Sequence, residues 1–214
     1  MSIGIIGSGA LGSNVARALA RKGLAATISN RRGPASLAPL IDEVGPSIEA
    51  VTVQEAAAAD IVLVAVWWAD IGNVLSDLPA WNGRIVIDGT NPVKQLEPNS
   101  PEANDPSNPL AAYGIKAFDL GGKHSSQVFR EFVPGARVVK AFNHLDAHAL
   151  VQPEVGGGQR VQFYSGDDLA AKAEVRRILE AAGYFAVDLG PLDVGGPLAS
   201  LPFGPLAAIN FVKM

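Results

Sequence analysis

Ser2-Ile3-Gly4-Ile5-Ile6-Gly7-Ser8-Gly9-Ala10-Leu11-Gly12 opens the chain, and Ser13-Asn14-Val15-Ala16-Arg17-Ala18-Leu19-Ala20-Arg21-Lys22-Gly23 follows directly. An isoleucine-rich apolar run leads into Gly-x-Gly-x-x-Gly, and the apolar residues beyond it, Leu11, Val15, Ala18 and Leu19, recur at helical spacing. The pattern reads as strand, phosphate loop and helix. The three glycines act separately. Gly7 permits the tight reversal, Gly9 lets a pyrophosphate approach the backbone, and Gly12 lets helix and strand pack closely. The unpaired amides and the positive dipole end of the helix then face the phosphates. Alone, such a motif is a weak signal. Here a strand precedes it, a helix ending at Gly23 follows it, and a second strand, Ala25 to Ser29, comes next, which is the context that dinucleotide binding requires.

Working outward, 214 residues suffice for one sizeable core, so a single domain over 1–214 is expected. A hydrophobic content of 48% with 18% charged residues describes a compact globular chain and excludes a disordered one. A net charge of −4 argues against non-specific nucleic-acid binding. The absence of cysteine excludes a disulfide framework, a thiolate metal site and a cysteine nucleophile. The first strand leaves no room for a secretory leader, and the longest apolar run, Ile61 to Ala69, is far short of the roughly 20 residues of a membrane span. The expectation is a cytoplasmic protein that does not enter a membrane.

Sites of this kind that take NAD place an acid about 20 residues past the glycines to bind the ribose hydroxyls, whereas an NADP site replaces that charge with cations and hydroxyls. The second strand ends in Ser29-Asn30-Arg31-Arg32-Gly33-Pro34 with no acid. Five cations, Arg17, Arg21, Lys22, Arg31 and Arg32, precede the first acid of the chain, Asp42. Arginine's planar fork suits phosphate, and a serine and an asparagine complete the cradle. Ser29, Asn30, Arg31 and Arg32 are therefore read as the 2′-phosphate site of NADP(H).

Further along, Ile61 to Val66 reads as a central parallel strand buried on both faces. Its carboxyl end carries Trp67, Trp68 and Asp70, where open α/β sheets bind ligands. An indole there covers a nicotinamide, walls off a substrate, or simply packs. Arg84 to Asp88 reads as the next strand and runs into Gly89-Thr90-Asn91-Pro92, with Asn91 placed to offer its amide near the nicotinamide and Pro92 fixing the turn. Gln95 to Pro109, rich in proline, asparagine and serine, reads as a mobile surface loop or lid, not a core element. Ser125 to Phe132 is expected to be helical, Ala136 to Phe142 a strand leading to Asn143 and His144, Gln159 to Ser165 a strand, and Asp167 to Ala182 a helix. The apolar, proline-punctuated tail 191–214 must cover a substrate cleft, a subunit interface, or both. The fold class is α/β: a Rossmann-type doubly wound parallel sheet with a small C-terminal extension.

The series Gly7-Ser8-Gly9-Ala10-Leu11-Gly12, Ser29 to Pro34, Asp88-Gly89-Thr90-Asn91-Pro92, Val138-Val139-Lys140-Ala141-Phe142-Asn143 and Ser165-Gly166-Asp167-Asp168 resembles the NADPH-dependent coenzyme F420 reductase family. The resemblance covers nearly the whole chain up to Leu189-Gly190-Pro191-Leu192. It implies a Rossmann fold, a homodimer, and hydride transfer between NADPH and the deazaflavin F420. Carried onto matching positions, it implies cofactor contacts from Ser8, Gly9, Ala10, Leu11, Ser29, Asn30, Arg31, Arg32, Ala65, Val66, Trp67, Asn91 and Ala141. The sequence departs from the family in three places. Trp67-Trp68 replaces small residues or proline, Asp193-Val194-Gly195-Gly196-Pro197 replaces an expected Gly-Arg pair, and no Lys or Arg occurs between Arg177 and Lys213. F420 carries a phosphate and a glutamate tail that would want cations.

Hydride transfer needs no protein nucleophile, because the cofactors carry the reacting atoms. His144 and Asn143, at the mouth of the sheet, are the candidate donors to the acceptor ring as negative charge builds up. His124, beside Lys123 in a glycine-flanked loop, is a further candidate to reach a substrate. Metal ligation is not expected: His144 and His148 share helical spacing, but Leu145 stands where zinc peptidases need Glu. The expected activity is that of an NADPH-dependent oxidoreductase acting on a small planar acceptor, F420 or alternatively a flavin or quinone. An NADPH-binding sensor without turnover is the alternative of a different class.

Overall fold

The computed structural model describes residues 1–214. In chain order the elements are β1 (Ile3–Ile6), α1 (Ala10–Arg21), β2 (Ala26–Ser29), α2 (Ala38–Val44), β3 (Ile48–Ala50), α3 (Val53–Ala57), β4 (Ile61–Val64), α4 (Ile71–Leu75), β5 (Ile85–Asp88), β6 (Val93–Gln95), β7 (Ile115–Ala117), α5 (Ser125–Phe132), β8 (Arg137–Ala141), β9 (Glu154–Val155), β10 (Gly158–Gly166), α6 (Leu169–Ala181), β11 (Phe185–Asp188), α7 (Leu192–Ala199) and β12 (Val212–Lys213). The main sheet runs β11-β10-β8-β5-β4-β1-β2-β3. Six neighbouring strands, β3, β2, β1, β4, β5 and β8, are parallel. The strand order reverses between β1 and β4, and a crevice opens there at the carboxyl ends of the strands.

Strand alternation divides the core in two. Ile5, Leu63, Ile87 and Val139 face α1 and α6, meeting Val15, Leu19, Val175 and Leu179. Ile6, Val62, Val64, Val86 and Val138 face the opposite way, toward Ala56 of α3, Ile71 of α4 and Phe129 of α5. The near-continuous apolar runs of β1, β4 and β5 are what a sheet covered on both faces demands.

The doubly wound parallel sheet holds over these six strands, and one edge of it is mixed. Strand β10 is antiparallel to β8, and β11 follows β10 in parallel. Between β8 and β10 the chain holds a 3-10 turn, Ala147–Val151, and β9, which hairpins into β10. A parallel return needs a long crossover, usually a helix packed on the sheet; without one, the chain re-enters from the opposite end. Where a helix was expected over Leu145 to Val151, only the 3-10 turn Ala147–Val151 forms. Two further elements escaped the sequence reading. Strands β6 and β7 pair as a separate antiparallel hairpin flanking the proline-rich loop. The tail contains α7, with Pro197 inside it, packed against α5 and β10.

Inside the sheet lies a buried ion pair. Lys140 Nζ donates to Asp88 Oδ2 at 2.7 Å, with the two side chains 1% and 0% exposed. The pair is fully satisfied: Lys140 also donates to the Thr90 carbonyl at 2.9 Å, and Thr90 donates its amide and hydroxyl to Asp88 Oδ1 at 2.9 and 2.6 Å. This network fixes the turn after β5. Removing one partner strands a buried charge, so Lys140→Met is expected to destabilise the protein by about 3–5 kcal/mol in urea denaturation, and the double variant Asp88→Asn/Lys140→Met by clearly less.

Candidate nucleotide and acceptor cleft

A cavity of about 540 Å³ occupies the crevice at the carboxyl ends of β1 and β4. Its floor is the glycine loop. Gly7 has φ +110°, and its amide donates to the Ser29 carbonyl at 3.0 Å, tying the loop to the end of β2. A Cβ on Gly7 would come closer than 3.0 Å to the Ala65 carbonyl, and one on Gly12 closer than 3.0 Å to the Gly7 carbonyl. A Cβ on Gly9 would meet nothing within 4 Å. Two of the glycines therefore serve the approach of α1 to the sheet, while Gly9 keeps open the space beside the first amides of α1, which have no partners inside the helix. Gly12 does not line the cavity; its work is packing.

Ser8, Gly9, Ala10 and Leu11 line the cavity, as do Asn30, Arg31, Arg32, Ala65, Val66, Trp67, Asn91 and Asn143. Asn30 joins the loop to the tip of β2: its Nδ2 donates to Ser8 Oγ at 3.0 Å, and its Oδ1 accepts from the Arg32 amide at 2.8 Å. The Arg31 guanidinium, 72% exposed, forms an ion pair with Asp70 at 3.6 Å across the cleft. Beyond it lies a second cavity of about 350 Å³, which shares Asn30, Arg31, Val53 and Val74 and adds Thr52, Gln54 and Asn73.

Ser29, Pro92, Ala141 and His144 are not brought to the cavity. Ser29 is still inside the sheet, fully buried, with its hydroxyl donating to the Ile5 carbonyl at 3.1 Å. Ala141 is a core residue on the α1 side, and Pro92 is buried behind the turn. His144 is fully buried, its ring 4.7 Å from that of Phe163. Neither ring nitrogen makes a well-formed hydrogen bond, although the Val161 backbone lies alongside as a weak partner. Burial lowers its pKa to about 4, so the ring is neutral at physiological pH. It does not line the cavity, whereas its neighbours Asn143 and Leu145 do. His124 also lies outside, at the N-terminus of α5, where its backbone amide donates to Gln127. His148 is exposed and apart from His144.

Asn91 and Asn143 are engaged with each other and with the tail. Asn91 Nδ2 donates to the Asn143 carbonyl at 2.7 Å, Asn143 Nδ2 donates to Asn91 Oδ1 at 3.1 Å, and the Leu201 amide donates to the same Oδ1 at 2.9 Å. Asn143 Nδ2 also donates to the Ala199 carbonyl at 3.1 Å. Asn91 thus lines the cavity and is also a strut joining the ends of β5 and β8 to the segment after α7. Phe142, with φ +66°, makes the turn that sets Asn143 in place.

Sequence reasoning missed Thr90, Val93, Ile115, Leu145 and Leu201, all of which line the cavity. Period-two alternation in Val93-Lys94-Gln95 and Ile115-Lys116-Ala117 could have found the hairpin. Leu201 carries no local signal, because only the fold brings the tail back to the crevice. Trp68 is mostly buried, whereas Trp67 is 51% exposed at the cavity mouth.

The model of the family described as NADP oxidoreductase, coenzyme F420-dependent, matches residues 2–92, from β1 through the turn after β5. A hypothetical protein from Sinorhizobium meliloti is 37% identical, with 100% of this chain and 97% of that one covered and a TM-score of 0.86. A protein from Arthrobacter sp. FB24, described as an F420-dependent NADP reductase, is 28% identical over 90% of this chain and 86% of its own, with a TM-score of 0.69. The chain belongs to the F420-dependent NADP oxidoreductase family. The family model and the Arthrobacter protein are both described as NADP-linked reductases or oxidoreductases. Metalloreductase STEAP3 of Rattus norvegicus is 28% identical over 202 residues, 94% of this chain, and the chain spans 36% of that protein's length.

The different duties of the glycines can be separated by experiment. Gly12→Ala forces α1 off the loop and is expected to cost about 1–3 kcal/mol in urea denaturation. Gly9→Ala should cost less than about 1 kcal/mol, as a poorer helix cap, yet weaken NADPH binding in a fluorescence titration, because its methyl group enters the space left for the phosphates.

Proposed function

We propose that the protein transfers a hydride between NADP(H), bound along the crevice, and a planar organic acceptor held at the cavity's far end. The observation that supports this most is the span of one continuous cavity. It reaches from Asn30, Arg31 and Arg32 at the tip of β2 to Asn91 and Asn143 at the ends of β5 and β8. These tips are three to four strand spacings apart, roughly 14 to 19 Å, which suits an extended dinucleotide laid across the strand ends. In this reading the pyrophosphate sits on the Ser8 to Leu11 amides and the 2′-phosphate on Asn30, Arg31 and Arg32. The nicotinamide lies beside Val66, Asn91 and Asn143, close to Trp67. Arg31 exchanges Asp70 for the phosphate at small cost, since exposed ion pairs contribute only about 0–1 kcal/mol.

The protein's part in the chemistry is positional. The nicotinamide supplies the hydride; the walls bring donor and acceptor carbon or nitrogen together and exclude water. F420 is the acceptor implied by the family, with flavins and quinones as alternatives. The likeness to a metalloreductase favours a flavin among these. A nicotinamide releases two electrons as hydride, a metal ion takes them singly, and a flavin can do both. No helix is long and apolar enough to cross a membrane. The reading includes a cytoplasmic homodimer, with the exposed Phe203, Ile209 and Phe211 of the tail as its contact.

Loss of nicotinamide absorbance in mixtures of NADPH with F420, flavins or quinones tests the activity, and a protein that binds NADPH yet oxidises none of it would be a sensor. Arg31→Ala and Arg32→Ala are each expected to weaken NADPH binding about ten- to a hundredfold while leaving NADH unchanged, since each removes a charge-assisted hydrogen bond to the 2′-phosphate alone. Equal affinity of the unaltered protein for NADH and NADPH would contradict the assignment.

A further inference from the structure

The acceptor end of the cavity has no cation available to an acceptor. Val93 and Ile115 of the β6–β7 hairpin line it, together with Trp67, Leu145 and Leu201. Lys94 and Lys116 are the nearest lysines in sequence, and they pair directly across the hairpin, Lys94 opposite Lys116. Alternation therefore puts both on the face opposite Val93 and Ile115. There Glu102 holds them, at 2.7 Å from Lys94 and 3.4 Å from Lys116. The Lys140 ammonium, beneath Thr90, is consumed by Asp88. Arg31 and Arg32 stand at the opposite end, at the tip of β2, and the tail offers no Lys or Arg before Lys213. Of the charged residues lining the cavity, Asp70 pairs with Arg31, which leaves the exposed carboxylate of Asp146, next to Leu145, with one oxygen accepting from the His148 amide.

Resting on the hydride-transfer reading above, the geometry points to an uncharged planar acceptor, a quinone or a neutral isoalloxazine, in place of a polyanionic one such as F420. A flat neutral ring meets an apolar slot and the half-exposed face of Trp67, on which it can stack. A phosphate or carboxylate tail meets Asp146 and no compensating cation, an arrangement that selects against it. The step balances without a further reagent. The C4–H bond of the dihydronicotinamide breaks, its hydride with two electrons bonds to the acceptor, and one proton from water completes the reduced acceptor, leaving NADP⁺.

Riboflavin and FMN share one ring and differ by a phosphate, so their ratio isolates the charge effect. With the full chain and saturating NADPH under anaerobic conditions, kcat/KM for riboflavin is expected to exceed that for FMN at least tenfold. Menadione should be accepted, F420 should be poor, and the riboflavin-to-FMN gap should narrow as salt screens Asp146. Asp146→Lys should raise FMN relative to riboflavin. Should that variant not fold, the acceptor pair on the unaltered protein still decides. FMN or F420 matching or exceeding riboflavin would overturn the inference while leaving hydride transfer standing. NADPH that quenches tryptophan fluorescence but is oxidised by none of these acceptors would remove both readings.

Discussion

No side chain fits at Gly7 or Gly12, where the first helix starts against the glycine loop. A Cβ on Gly12 would overlap the Gly7 carbonyl oxygen, and one on Gly7 would overlap the carbonyl of Ala65 at the end of β4. This steric constraint brings the N-terminus of α1 down onto the point where the strand order reverses. The crevice, its row of unpaired amides and the anchoring of Ser8 through Asn30 all follow from that approach. Gly4 repeats the device on the other face, where a Cβ would overlap the Ala56 carbonyl of α3. Helices on both sides thus close on β1 over glycine.

The far end of the cleft is built differently, from polar bonds between distant segments. The Lys140–Asp88 pair shapes the turn after β5, and Asn91 and Asn143 bracket the ends of β5 and β8. Leu201 joins through its amide, so the tail after α7 becomes a wall of the same cavity. Polar atoms are used to hold the walls, and the surfaces left facing the cavity are mostly apolar. Under the proposed hydride transfer, such walls would position a planar ligand and contribute little charge of their own.

Much of the nucleotide half was legible in the sequence because its signals are local. The glycine spacing, the strand before it and the arginines at the end of β2 lie within 32 residues. What spacing does not reveal is where a side chain points. Ser29 and Asn30 are adjacent, yet one donates back to Ile5 inside the sheet and the other reaches Ser8 across the loop. Asn143 and His144 divide likewise: the first faces the cavity, while the second is driven into the core against Phe163. The acceptor half was less legible. Its walls come from a pair of three-residue strands far apart in sequence and from a tail 110 residues beyond Asn91, joined by tertiary contacts alone. The antiparallel return of β10 was hidden for a related reason, since nothing in a strand's own residues states its direction.

In the proposed function one cleft orders NADP(H) from the tip of β2 to the ends of β5 and β8. A crystal structure of the complex with NADP⁺ tests it most directly. The 2′-phosphate is expected within hydrogen-bonding distance of Asn30, Arg31 and Arg32, and the nicotinamide between Trp67 and the Asn91–Asn143 bracket. A 2′-phosphate lying free in solvent, or a nicotinamide lodged away from Asn91 and Leu201, would contradict it.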